Sequence, residues 1–442
     1  MKQPKRLLIH PILVGILTSL NAIPAMSDDL EESTGLFNYL GADPNDLNFM
    51  KDSGVQIGGW LDVGISGNTN NSPGGFNGPV TFGDRDGYVQ MNQLYFYLQR
   101  AVDTAGDGWD IGGRFDFMYG SDAVFTQAYG APQGNWDLNL MPNDASRFYK
   151  MALPQAYVEV FAPVGNGLST KIGHFYTIIG NEVVTAPDNF FYSHAYTMQY
   201  GEPFTHTGVL SSYPIDDNWT LNGGVVTGSV FGGWDGGFNQ GLGNWNGLGG
   251  VNWASDDKGT SAALSFTTGP ISEQNSSNLS MYSLVIKHDI IEGLHYTFQN
   301  DWGQAENLVT NLNGQQQNAS WYGLNNYVVY DIMENLGIGL RGEWFRDQNG
   351  TRVFSPGRTL SLIDPVVDPI TQEFTGLSKP ASYYAFTLGL NWKPLKWAMV
   401  RPSIRYDWSD NANAFNNGTS AVDWKGNRQD QLLLSTDFVI TF

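Results

Sequence analysis

The chain has 442 residues, with 23 Lys+Arg against 43 Asp+Glu for a formal net charge of −20, and no cysteine. A balance this acidic lacks the basic face that nucleic acid requires. Without cysteine there is no disulfide framework, thiolate metal site or cysteine nucleophile. Charged residues reach only 15% and aromatic ones 14%, too aromatic and too weakly charged for a disordered acidic tail, and no linker-like stretch divides the chain.

In chain order, Lys2, Lys5 and Arg6 precede an apolar core from about Ile12 to Leu20, and small residues end at Ala25-Met26-Ser27. Residues 1–27 therefore read as a secretory signal peptide. Residues 28–53 are acidic with scattered Leu36, Phe37, Leu40, Leu47 and Phe49, a periplasmic N-terminal segment forming a short helix or a partial plug. No later apolar run approaches the ~18 residues of a membrane helix. An exported chain of this kind is either soluble or a β-barrel in an outer membrane.

Alternation decides for the barrel. Strands are expected near 54–67, 88–100, 108–120, 152–162, 168–177, 205–213, 218–226, 246–254, 259–267, 278–289, 293–303, 318–331, 335–346, 381–393, 396–408 and 430–442. In 108–120, Ile111, Phe115, Phe117 and Tyr119 alternate with Asp110, Arg114 and Asp116, the period-two pattern of a strand with one apolar face. The run 396–408 sets Val400, Ile404, Tyr406 and Trp408 against Arg401, Ser403, Arg405 and Asp407. The last run puts Leu432, Leu434, Phe438, Ile440 and Phe442 on one face and stops on Phe442; that ending resembles the assembly signal of outer-membrane barrels.

The connections alternate in length. Those at 68–87, 121–151, 178–204, 227–245, 268–277, 304–317, 347–380 and 409–429 are long, and those between, such as 213–218, 254–259 and 393–396, are short. Bacterial barrels show this segregation, with short periplasmic turns and long external loops. Trp109, Tyr119, Trp302, Trp344, Trp392, Trp397 and Trp408 sit near strand ends, as interfacial girdles do. The expected fold is all-β: a transmembrane antiparallel up-and-down barrel over residues 54–442 with about 16 strands, 14 to 18 being compatible. Such a barrel is wide enough for an aqueous lumen, where an eight-stranded one is filled by side chains.

The third long connection, 178–204, is rich in aromatic and apolar residues, so it is expected to fold against the barrel. It resembles in position the third loop of general porins, which bends into the lumen. Glu182, Asp188 and Glu202 are the constriction-loop candidates. Parity places Arg114, Lys171, Arg341, Glu343, Arg401 and Arg405 on the lumen wall, because arginine is costly on a lipid face. An acidic loop facing an arginine ladder would set up a transverse field across the pore. The histidines have no metal-ligand or nucleophile spacing, so no catalytic residue, metal or cofactor is expected.

The run Lys171-Ile-Gly-His-Phe-Tyr-Thr-Ile-Ile-Gly-Asn-Glu182, then Ala186-Pro-Asp-Asn-Phe-Phe-Tyr-Ser-His194, then Gly201-Glu-Pro-Phe-Thr-His-Thr-Gly208 resembles the OmpL-like β-barrel porin family of Gram-negative bacteria, as do Gly58-Gly-Trp-Leu-Asp62 and the terminal Phe442. The resemblance implies an outer-membrane porin passing small hydrophilic solutes or ions by diffusion. It carries Glu182, Asn189, Ser193 and His206 over as motif positions without assigned roles. Outer-membrane lipid and lipopolysaccharide, the barrel assembly machinery and diffusing solutes are the expected partners, with a homotrimer as the assembly usual at this size. Other readings are a plugged structural or adhesive barrel whose loops bind a surface, and a barrel hydrolase built around His295.

Overall fold

The computed structural model describes residues 35–72, 74–128, 136–137, 140, 148–227, 241–270, 277–310, 314–353, 380–411, 413–417 and 426–442. The signal-peptide region 1–27 lies outside them, as does most of loops 227–245 and 347–380. Sixteen antiparallel strands close into one barrel. They are β1 (Gln56–Asn68), β2 (Val89–Arg100), β3 (Asp110–Gly120), β4 (Lys150–Ala152 with Ala156–Ala162), β5 (Leu168–Tyr176), β6 (Thr205–Pro214), β7 (Trp219–Thr227), β8 (Trp245–Ala254), β9 (Thr260–Pro270), β10 (Asn278–Ile291), β11 (Leu294–Thr310), β12 (Gln316–Met333), β13 (Leu336–Asp347), β14 (Ala381–Leu395), β15 (Ala398–Val400 with Ser403–Ser409) and β16 (Asp430–Thr441). Each pairs with the next, and β1 closes the ring on β16 from Trp60↔Thr441 to Asn68↔Leu433. Closure removes every sheet edge, as hydrocarbon demands.

Alternation sorts the two faces. On β2 to β5, Phe96, Leu98, Phe115, Val158 and Ile172 are exposed to the outside, while their neighbours Tyr97, Arg114, Tyr157 and Lys171 point inward and are half-buried. On β14 to β16 the outward row is Phe386, Leu388, Ile404 and Leu434. Inward positions there carry Thr387, Arg405 and Asp407, all buried.

Three details differ from the sequence expectation. The strand expected over 152–162 is split at Leu153–Gln155, and the one over 396–408 at Arg401–Pro402; Pro154 and Pro402 have no N–H to give the ladder. The connection 304–317 is mostly strand, because Val309 and Thr310 still pair with Gln317 and Gln316, so β11 and β12 extend beyond the length that lipid needs. Loop 409–429 contains a small ladder of its own, Phe415↔Arg428 and Asn417↔Gly426.

Residues 35–54 form short helices, Leu36–Tyr39 and Asn48–Ser53, at the end of the barrel where β1 begins. The Phe37 ring packs on Phe442 at 5.1 Å and Tyr39 on Trp397 at 5.7 Å. Asn45 bonds both the N–H and the carbonyl of Ile57 at 2.8 Å, fixing this segment to the start of β1.

Candidate pore constriction

Loop 178–204 lies inside the barrel, and both the loop and the wall are shaped for it. Asn189 ties the loop to itself: its amide donates to the Val183 and Thr185 carbonyls at 2.7 and 2.9 Å and accepts from the Val183 N–H at 3.0 Å. The wall makes room with glycine. A Cβ on Gly64 would stand 2.4 Å from the Tyr192 ring, and one on Gly339 2.4 Å from the Phe190 ring, so only glycine admits the close approach.

Three wall arginines hold the loop. Arg341 on β13 donates to Glu182 at 2.7 Å, to the Ser193 carbonyl at 2.6 Å and to the Ser193 hydroxyl at 3.0 Å. Arg401, between the two parts of β15, donates to the carbonyls of Ala186 and Asn189 at 2.6 and 2.7 Å. Arg405 donates to the His194 carbonyl at 2.8 Å. Each is also paired on the wall: Arg341 with Glu343, Arg401 with Asp437, and Arg405 with Asp407 and Glu343. Tyr196 completes the set, its N–H donating to Glu343 and its hydroxyl to Asp407, both at 2.9 Å. These arginine side chains are at most 2% exposed, so an arginine ladder does not face open water. Buried guanidinium groups persist only where their donors are matched, and these are matched by carboxylates together with backbone carbonyls of the loop.

A second anchor is on β1 and β2, next to β16 in the ring. The register slips at Asp62/Val63, so Asn92 and Gln93 are both buried, a bulge re-aiming consecutive side chains. Gln93 donates to the Val184 carbonyl at 2.7 Å, and Asn92 accepts from the Tyr192 hydroxyl at 2.9 Å.

The loop's three candidate carboxylates meet different fates. Burial alone would raise the Glu182 carboxyl, but Arg341 and His194 outweigh it and hold it at about 2; it also accepts from Tyr327 at 3.0 Å and the Ala195 N–H at 2.8 Å. Glu202 is buried against Asp301 and accepts from Gln299, and burial first, then the Asp301 charge, pushes its carboxyl well above the usual range. Asp188 alone is exposed; it caps a turn by accepting from Thr185 at 2.5 Å.

Of the other wall candidates, Arg114 is clamped by Asp116 at 2.7 Å and Gln99 at 2.9 Å yet stays 20% exposed. Lys171 lies over the Tyr157 ring at 4.9 Å and makes no ion pair among the described residues. Asn92, Gln93, Tyr192, Tyr196 and Lys393 also belong to the site without being expected from the sequence; a bulge at Asn92 leaves no sequence trace, whereas the density of Tyr in 192–200 does. His295 stands between Asp289 at 2.6 Å and Asp331 at 3.1 Å, with both ring nitrogens committed to carboxylates and not to a serine. In the short turns, Asp216 accepts from the N–H groups of Asn218 and Trp219, and Asp257 from Ser255 and Gly259.

A family model described as "Putative beta-barrel porin-2, OmpL-like" matches residues 54–442. The chain belongs to this family. It is an outer-membrane porin, a channel-forming barrel. Similar solved structures are an anion-selective porin from Comamonas acidovorans, with TM-score 0.54 and 9% identity over 88% of this chain and 99% of that one, and OprB of Pseudomonas putida, with TM-score 0.54 and 12% identity over 93% and 99%. The outer membrane channel DcaP of Acinetobacter baumannii has TM-score 0.50 and 9% identity over 88% and 97%. No curated protein matches the sequence. At these identities the neighbours share the porin's fold. Glu182, Asn189 and Ser193 are the loop's own fastenings to itself and to Arg341, and His206 bonds Thr177 at 2.9 Å where the loop leaves β5.

Proposed function

We propose that loop 178–204 is the constriction of this porin and that it gives the pore a preference for anions. The observation that carries this is the unequal fate of the charges. Glu182 and Glu202 are withdrawn into buried contacts, and Arg341, Arg401 and Arg405 are neutralised by carboxylates and carbonyls. Of the loop carboxylates and the wall cations beside them, those left accessible are Asp188 on one side and Lys171, Lys393 and the Asp116-paired Arg114 on the other. In a narrow, low-dielectric passage a small surplus of accessible cations attracts anions out of proportion to the net charge of the protein. The Comamonas acidovorans porin is described as anion-selective, and the same behaviour is expected here on the ground of this chain's own lining.

The test is the reversal potential of single channels in a planar bilayer under a KCl gradient. An anion-favouring potential supports the reading, and a cation-favouring one removes it. Assembly as a homotrimer, residues 28–53 as a periplasmic segment and Phe442 as the assembly signal belong to the same proposal. Light scattering on the detergent-solubilised protein reads the first, and folding yield of Phe442→Ser with the assembly machinery reads the last.

A further inference from the structure

Four adjacent strands carry an alternating row of rings and cations on their lumen face: Tyr97 on β2, Arg114 on β3, Tyr157 on β4 and Lys171 on β5. The register makes the row continuous. Arg114 stands directly opposite Tyr157, Tyr97 is opposite Asp116, two residues from Arg114, and Tyr157 is opposite Gly173, two residues from Lys171, so the remaining steps are diagonal neighbours within reach of long side chains. The Arg114 guanidinium lies 4.6 Å from the Tyr97 ring centre and the Lys171 ammonium 4.9 Å from that of Tyr157. All four are half-buried, in contrast to the buried arginines that hold the loop.

Lys171 has no ion pair among the described residues, and Arg114 has one, to Asp116. Glu159, directly across from Lys171, instead accepts from the Ser169 hydroxyl at 2.5 Å. Arg114 commits Nε to Asp116 and one Nη to Gln99, which leaves its other Nη without a bond among the described residues. A ring face flanked by the unpaired Lys171 ammonium on one side and the remaining Nη of Arg114 on the other suits a solute that is flat and apolar at one end and anionic at the other. A simple sugar would leave the cations unmatched, and an inorganic anion would leave the rings unused.

We propose that this row is a solute-binding subsite for aromatic carboxylates, with Arg114 and Lys171 taking the carboxylate and Tyr97 and Tyr157 the ring. The subsite rests on the reading of the lumen as a solute path, and it names the class of solute that path favours. It is tested by titrating sodium benzoate calorimetrically into the full chain folded in detergent micelles, with acetate supplying charge without a ring and benzyl alcohol a ring without charge. Benzoate is expected to bind roughly tenfold more tightly than either. Lys171→Gln is expected to weaken benzoate roughly tenfold and Tyr157→Leu roughly fivefold, with acetate unaffected by Tyr157→Leu. Lys171 is free of ion pairs, so its replacement leaves folding intact even if Arg114→Gln does not. Equal affinity for the three probes, or benzoate binding indifferent to both variants, overturns the proposal. Conductance of the same preparation separates the two readings: a conducting barrel without benzoate binding removes the subsite alone, and a silent barrel that binds benzoate keeps the subsite and removes the path.

Discussion

Two arcs of this barrel are built on opposite terms. Strands β13 to β16 carry Arg341, Glu343, Arg401, Arg405, Asp407 and Asp437, all turned inward and buried. Strands β6 to β9 contain no Asp, Glu, Lys or Arg on either face; their inward residues are Leu210, Val226, Leu248 and Ala263 with Thr220, Ser265 and Thr267. The charged arc fastens the loop. Ion pairs that would be of little worth on a wet surface become decisive where both partners are desolvated and the loop supplies the missing acceptors. On the proposed reading charge in this lumen is of two kinds, structural where it is buried and selective where it stays accessible, and the β2 to β5 row holds two charges of the second kind, Arg114 and Lys171.

Removing a fastening arginine is the most severe way to break the contrast. Arg401→Gln strands Asp437 and two loop carbonyls, and a loss of about 3–5 kcal/mol is expected, read by urea unfolding in lipid vesicles together with a wider, noisier single-channel current. An equal loss from Ser265→Ala on the uncharged arc would contradict it. Filling the space under the loop comes next. Gly339→Leu sets a side chain where the Phe190 ring lies, and overpacking of about 1–3 kcal/mol should shift the loop and change conductance without altering the ion pairs.

Charges left accessible should change selectivity and leave stability alone. Lys171→Gln is expected to lower the anion-to-cation permeability ratio roughly two- to fivefold and Asp188→Asn to raise it, both with unfolding midpoints within about 0.5 kcal/mol of the parent. The smallest effect concerns pH. Because Arg341 and His194 hold Glu182 at about 2, below its unfolded value, its contribution to stability is full above the usual carboxylate range, declines as pH falls below that range and is lost once pH passes about 2, where Glu182 itself takes up its proton. Acidification from pH 7 to pH 4 should therefore leave the Arg341–Glu182 fastening intact, and hydrogen exchange at the Ala195 N–H, which donates to Glu182 at 2.8 Å, should stay protected over that range.

Alternation made the barrel legible: Leu432 to Phe442 and Ile404 to Trp408 declare their faces because one side meets lipid. The breaks in β4 and β15 were also written, in Pro154 and Pro402, but the surrounding period-two pattern continues through them. The inward position of Arg341, Arg401 and Arg405 follows from the cost of arginine in lipid. Their partners do not follow, since pairing with Ser193, Ala186, Asn189 and His194 uses backbone carbonyls that every residue has. For the same reason the sequence cannot separate Glu182 and Glu202 from Asp188: three carboxylates in one loop look alike until the fold buries two of them.

The central claim, that the loop's buried charges fasten and the exposed ones select, is tested most directly by the reversal potential of single channels across a tenfold KCl gradient, compared between the parent, Asp188→Asn and Glu202→Gln. The expected result is an anion-favouring potential that strengthens in Asp188→Asn and stays unchanged in Glu202→Gln. A cation-favouring potential abolished by Glu202→Gln would contradict it.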